Sequence, residues 1–249
     1  SKRFFGIFLV FALSMVIIFS GCSKPAAETL FPARDGSQWG YINENGKMVV
    51  DPKFRAAMNF SEGMAAVKVG DKVGYIDESG NFSVDPQFES GAAFSEGLAL
   101  VMANELFGYI NPSGKFAIDP QYEVALEFSE GLAAVVVNGL FGFINPSGEM
   151  LIEPAFEDAE SFSDGFALVK IEYSYAYIDT TGQVQIDGKN FNSASSFSEG
   201  LAAVQIDDQW GYINLDGDFA IAPMFKYALP FSEGLAAAVV DDLLGYINT

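Results

Sequence analysis

The sequence predicts an all-β fold of tandem β-meander repeats, about 34 residues each, arranged like the small blades of a β-propeller. Three observations predict it. Phe-Ser-Glu-Gly stands at residues 60–63, 94–97, 128–131, 197–200 and 231–234, and Phe-Ser-Asp-Gly at 162–165, at spacings of 34, 34, 34, 35 and 34 residues. Between these motifs lie short apolar runs closed by turn residues, none of them long enough for a helix. In the run Leu132 to Val137 successive residues are all apolar, so both faces of that strand are buried, as they are when sheets pack face to face. A WD-type blade takes about 40–45 residues, and the shorter period keeps an open superhelical array of hairpins, or a solenoid, as the alternative.

Repeats start at Leu30, Met64, Leu98, Leu132, Phe166, Leu201 and Leu235, so the repeat domain runs from 30 to 249. The fourth repeat shows the elements in order. Leu132 to Val137 is the first strand, ended by Asn138-Gly139, a hairpin turn pair. Phe141 to Asn145 is the second, ended by Asn-Pro-Ser-Gly; the equivalents Asn-Glu-Asn-Gly, Asp-Glu-Ser-Gly, Asp-Thr-Thr-Gly and Asn-Leu-Asp-Gly carry type I turn chemistry. A third strand of three to five residues follows and is expected to stop at the proline of "EMLIEP", "KFAIDP" or "KMVVDP". Phe-x-x-Ala-x-x-Phe, as in "FEDAESF", has neither clean alternation nor helical length and reads as a short irregular fourth strand. Phe-Ser-acid-Gly then reads as a solvent-exposed turn between repeats: Phe anchored in the core, Gly supplying unusual backbone angles, and Ser and acid oxygens capping amides. The seventh repeat stops at "GYINT", which is expected either to continue or to close a ring against the first repeat.

Composition narrows the function classes. Half of the 249 residues are hydrophobic, enough for a large core. With 33 acidic residues against 13 basic ones the formal charge is −20, a field that repels nucleic acid. The chain has no histidine, which removes the usual general base, zinc ligand and triad imidazole. Its first segment places Lys2 and Arg3 before an apolar run from Phe4 to Phe19, then Ser20-Gly21-Cys22. Small residues directly before the single cysteine make this segment similar to a bacterial lipoprotein signal peptide. That resemblance implies a signal peptide over 1–21, a diacylated Cys22 as mature N-terminus, a short tether over 22–29, and export to a membrane surface of the cell envelope.

The segments "QWGYINENG" at 38–46 and "QWGYINLDG" at 209–217, each followed by an extended stretch and Phe-x-x-Ala-x-x-Phe-Ser-x-Gly-Leu-Ala, resemble the WG-repeat family, also called KWG repeats. The likeness covers residues 30–249. Trp39 and Trp210 keep the name-giving tryptophan, whereas Val73, Phe107, Phe141, Tyr175 and Leu244 stand at the equivalent places and Ala176 replaces the glycine. Apolar replacement marks a packing position. The family is known chiefly from bacterial, often exported proteins without a common activity, so the resemblance implies a scaffold and leaves its task open.

No constellation of catalytic, cofactor-binding or metal-ligating residues stands out. The acids before proline at 51, 85, 119 and 153 recur with strand three, and the N-x-x-G turns lack the alternating oxygen ligands of a calcium loop. The fifth repeat departs most from the pattern, through Tyr175, Ala176 and the inserted Gly188-Lys189-Asn190. The expected function is a lipid-anchored interaction scaffold that binds a protein, peptide or glycan. The alternatives are a carboxylate-based hydrolase or lyase on the same scaffold, or a structural spacer. A regular rotation between repeats would bring Glu62, Glu96, Glu130, Asp164, Glu199 and Glu233 into one row, a candidate acidic face for cations or a cationic partner.

Overall fold

The computed structural model describes residues 29–248, so Cys22 and the export segment lie outside the described residues. Among the described residues the regular structure is strand throughout. In the first repeat β1 (Leu30–Asp35), β2 (Gln38–Asn43) and β3 (Met48–Phe54) form an antiparallel meander. The β2–β3 turn follows the local chemistry. Asn43 Oδ1 accepts the amides of Asn45 and Lys47 at 3.1 and 3.0 Å, and the Gly46 amide donates to the Asn43 carbonyl at 2.8 Å. Gly46 has φ +75°, a region in which a side chain is strained.

The fourth segment does not complete the sheet of its own repeat. β4 (Ala56–Ala57) crosses over and pairs with β5 (Met64–Val69) of the next repeat, through Ala56 opposite Lys68 and Ala57 opposite Val67. With β6 (Lys72–Asp77) and β7 (Phe82–Phe88) this gives a four-stranded sheet in the order β4-β5-β6-β7. The expected place of Phe-Ser-acid-Gly is thereby corrected. It is the tight hairpin inside each sheet, and the chain passes between sheets at the end of strand three instead. Ser61 and Met64 exchange both backbone hydrogen bonds at 2.9 Å, and the two turn residues, Glu62 and Gly63, have φ of +52° and +78°. Positive φ at both central positions is the type I′ turn that matches the twist of a hairpin.

Strand three is longer than expected because proline does not end it. β3 and β7 have seven residues each and run two residues past Pro52 and Pro86. The ladder accommodates the proline with a bulge. A step of two residues from Tyr41 to Trp39 faces a step of four from Val50 to Phe54, and Tyr75 to Val73 faces Val84 to Phe88 in the same way. Proline without an N–H is tolerated on an edge strand and at a bulge, and strand three is both. This bulge folds onto the glycine of the Trp-Gly pair. A Cβ on Gly108 would lie 2.7 Å from the Ile118 carbonyl oxygen and 2.7 Å from the Pro120 nitrogen. The fifth repeat lacks both residues. It has Ala176 and Gly188, and there Tyr175, Ala176 and Tyr177 pair with Gly188, Asp187 and Ile186 without a break.

Seven such small sheets stand in tandem, packed face to face as the apolar first strand predicts. Tyr41, Val50 and Phe54 of the first sheet meet Ala65, Val67 and Ile76 of the second. Small residues on strand one let the sheets approach closely, and Ala65, Ala66 and Val67 are at most 3% exposed. The turn glycines share in this approach: a Cβ on Gly80 would meet the Val50 side chain of the preceding sheet at 2.9 Å. At the C-terminal end Leu243–Asn248 is uncovered. Tyr246 is 74% exposed where its equivalents Tyr41, Tyr75, Tyr109, Tyr177 and Tyr212 are 0% exposed. The first sheet therefore does not close over this strand, and the array is propeller-like in its blades without a sealed junction there.

Candidate functional site

Phe-Ser-acid-Gly is a connector that works once per repeat, each residue with a different partner. The Phe ring stacks edge-on against the buried aromatic of the second strand, with Tyr75–Phe94, Tyr109–Phe128 and Tyr212–Phe231 centroids 5.0, 4.8 and 4.9 Å apart. Ser61, Ser95, Ser129 and Ser198 donate their hydroxyls to the carbonyls of Phe94, Phe128, Phe162 and Phe231 in the following repeat, at 2.6–2.8 Å.

The six acids do form one row, as a regular repeat requires, and all six are exposed. Five of them are engaged with the next turn. Glu62, Glu96, Glu130, Asp164 and Glu199 accept the backbone amides of Gly97, Gly131, Gly165, Gly200 and Gly234 at 3.0, 2.9, 2.9, 2.8 and 2.9 Å. The row is thus a ladder of carboxylate-to-amide bonds that ties each hairpin to its neighbour. At those five acids it also offsets the left-handed backbone, whose φ lies between +52° and +56° at all six. Replacing Ser95 by Ala removes an inter-sheet hydrogen bond and is expected to cost about 1 kcal/mol, read as a lower urea midpoint at unchanged slope. Glu96→Gln, which keeps an acceptor, should cost less than Glu96→Ala.

A second link between neighbouring sheets escaped the sequence reading. Tyr41, Tyr75, Tyr109, Tyr177 and Tyr212 donate their hydroxyls to the carbonyls of Met58, Ala92, Leu126, Ser195 and Leu229 at 2.7–2.9 Å, pinning each fourth strand. Burial raises the phenol pKa of all five, to about 12 at Tyr212 and further at the others. The signal was present in the invariant spacing of this tyrosine from the Trp place; Phe143 holds the position in the fourth repeat.

Exposed groups gather along the strand-three edges, which no further strand covers. Phe82, Phe116, Val184 and Phe219 recur there at 39–47% exposure. Asp51, Asp85, Asp119, Glu153 and Asp187 stand exposed three residues after that apolar position. Among the described residues no cluster of three or more His, Cys, Asp or Glu side chains is placed to hold a metal ion. In the fifth repeat the straight strand edge leaves an open cleft of about 390 Å³ beside Tyr175.

Tandem small antiparallel sheets with exposed edges define a β-repeat scaffold of propeller-like construction. The family model of the WG containing repeat matches six times, at residues 39–72, 74–106, 107–141, 141–175, 175–210 and 210–243, and the chain belongs to that family. No curated protein sequence matches it significantly. Among solved structures it is similar in fold to a eukaryotic initiation factor (TM-score 0.59, 14% identity, 86% of this chain and 68% of that one). It is likewise similar to the propeller-like protein Hsv2 of Kluyveromyces marxianus (TM-score 0.52, 12% identity, 86% of each chain). Hsv2 of Kluyveromyces lactis gives a TM-score of 0.51 at 11% identity, over 89% of this chain and 87% of that one. At these identities the likeness extends to the fold alone.

Proposed function

We propose that the chain is an exported, lipid-anchored binding scaffold of the cell envelope, tethered through Cys22, which engages an extended protein, peptide or glycan along its strand-three edges. The observation that carries this reading is the repeated edge pattern: a part-exposed apolar side chain on strand three in each of the first six repeats and, three residues on, an exposed acid in the first five. Edge strands present free backbone groups, and a periodic row of them suits a long ligand that adds weak contacts repeat by repeat. The turn acids serve the scaffold first, because their carboxylates already hold the neighbouring amides. Their outward surface adds a field that attracts cationic partners and repels nucleic acid.

Two measurements test the reading. Mass spectrometry of the protein expressed with its full N-terminal segment in a bacterial host should find a mature chain starting at acylated Cys22, and an unmodified Cys22 on exported protein removes the anchor. Capture of envelope proteins and glycans by wild type is to be compared with Phe82→Ser, Phe116→Ser and Phe219→Ser combined. Phe82 and Phe116 also pack edge-on against Phe54 and Phe88 of the preceding sheet, so the triple variant is first checked for native circular dichroism; folded, it should lose most of the captured material. Equal capture removes the edge from the function.

A further inference from the structure

The fifth repeat is where the scaffold gives up its own pattern, and the change opens a cleft. In the second repeat strand three bulges at Asp85-Pro86 and covers Gly74; in the fifth the ladder runs straight to Gly188 and the chain turns away. Gly188 is bare because Phe191 folds over it: a Cβ there would lie 2.5 Å from the Phe191 ring. The Phe191 amide donates to the Gly188 carbonyl at 2.8 Å, which closes the turn and carries Lys189 and Asn190 to the surface. What remains beside the edge is a space of about 390 Å³, within the range of small-ligand sites.

Its lining is mixed. Ile171, Val184 and the partly exposed Tyr175 make an apolar wall, with Val184 47% exposed. Lys170 lies over the Tyr175 ring at 4.8 Å but is not part of this lining; it belongs to a smaller recess on which Tyr175 also borders. The same lining holds an exposed ion pair. Asp187 Oδ2 accepts Lys189 Nζ at 2.8 Å, and Asp187 Oδ1 accepts the Lys189 amide at 3.2 Å. Glu172 adds a second carboxylate to the rim. The rim therefore carries two acids and one amine, within a chain of charge −20, and this disfavours anionic ligands.

We propose that this cleft binds a neutral sugar ring. A pyranose has one apolar C–H face, which suits an aromatic and aliphatic wall, and a periphery of hydroxyls that both donate and accept. Carboxylates at Asp187 and Glu172 accept hydrogen bonds from hydroxyls, and the Lys189 ammonium donates to hydroxyl oxygens, so one ring satisfies both signs of charge. The site shares Val184 and Asp187 with the strand-three edge and so deepens the edge-binding reading in the fifth repeat; because its test leaves Phe82, Phe116 and Phe219 untouched, its failure and the failure of that reading are told apart.

The test is saturation-transfer difference NMR with cellobiose and chitobiose as neutral probes and glucuronic acid as the anionic one, on the whole repeat domain. At least one neutral probe should receive saturation and titrate with a millimolar dissociation constant, while glucuronic acid does not. Asp187→Asn with Lys189→Ala alters two exposed side chains and keeps an oxygen acceptor for the Lys189 amide; it should weaken the neutral probe about tenfold. Tyr175→Ala should abolish its signal, and Phe107→Ala, at the equivalent place in the third repeat, should leave the affinity unchanged. The proposal is overturned if neither neutral probe receives saturation, if glucuronic acid binds as well as they do, or if the Asp187/Lys189 variant, shown to be folded, binds as tightly as wild type.

Discussion

Raising the pH above about 10 is expected to unfold the repeat domain in one cooperative step, with five tyrosines ionising as the sheets are lost. Tyr41, Tyr75, Tyr109, Tyr177 and Tyr212 are 0% exposed, and burial raises each phenol pKa, because a phenolate between two sheets would be desolvated. The sign follows from proton counts. Below pH 10 both states hold these protons and the phenols make no pH-dependent difference. Above it the unfolded chain releases them while the folded chain keeps them, so stability falls as pH rises, for Tyr212 until about 12. Each phenol contributes a slope of up to about 1.4 kcal/mol per pH unit, and five together approach about 7 kcal/mol per unit. That is comparable to the whole stability of an ordinary domain. Absorbance at 295 nm and far-UV circular dichroism, followed together, should show a shared steep transition. Phenolate absorbance from all ten tyrosines rising near pH 10 with unchanged ellipticity would refute it. Tyr109→Phe removes one of the five protons and should flatten the slope by about a fifth, while costing about 1 kcal/mol at neutral pH for the unpaired Leu126 carbonyl.

These tyrosines also show which parts of the fold could be read in advance. The period, the N-x-x-G turns and the first two strands are local, each fixed by residues within a few places of one another, and all stand where the sequence puts them. The pairing of Ala56 with Lys68 is not local. Phe-x-x-Ala-x-x-Phe carries no periodicity that names a partner, and the strand it joins starts the next repeat, so Phe-Ser-acid-Gly read naturally as a boundary when it is a hairpin inside a sheet. The proline was misread for a related reason. On a central strand it would end the ladder, but an edge strand with a bulge carries it, and edge status is a property of the assembled sheet. The acidic row was legible from the period, while its bond to the following glycine amide depends on the rotation between sheets. The cleft beside Tyr175 was least legible of all, because it arises from what the fifth repeat omits.

The largest effect from a single methyl group is expected at the glycine of the Trp-Gly pair. Gly108→Ala would place its Cβ 2.7 Å from both the Ile118 carbonyl oxygen and the Pro120 nitrogen, and 2.9 Å from the Asp119 carbonyl carbon. All three are backbone atoms of the bulge, so no rotamer can relieve the contact, and the ladder between Leu106–Ile110 and Phe116–Tyr122 has to open. We expect a loss of about 3 kcal/mol, measured by urea denaturation. The fifth repeat supplies the control that separates this clash from any general dislike of side chains on strand two. Ala176 occupies the same place, is 5% exposed, and sits opposite Asp187 where the ladder runs unbroken from Tyr175 to Tyr177. Ala176→Gly should therefore destabilise by only about 1 kcal/mol, the ordinary cost of glycine in a strand. If glycine and bulge are one device, transplanting the fifth repeat's Asp-Gly-Lys-Asn-Phe for Asp119–Tyr122 should rescue Gly108→Ala. The double change should then be less destabilised than the sum of its parts by more than about 1 kcal/mol. Strict additivity would show that the bulge is not what excludes the methyl group.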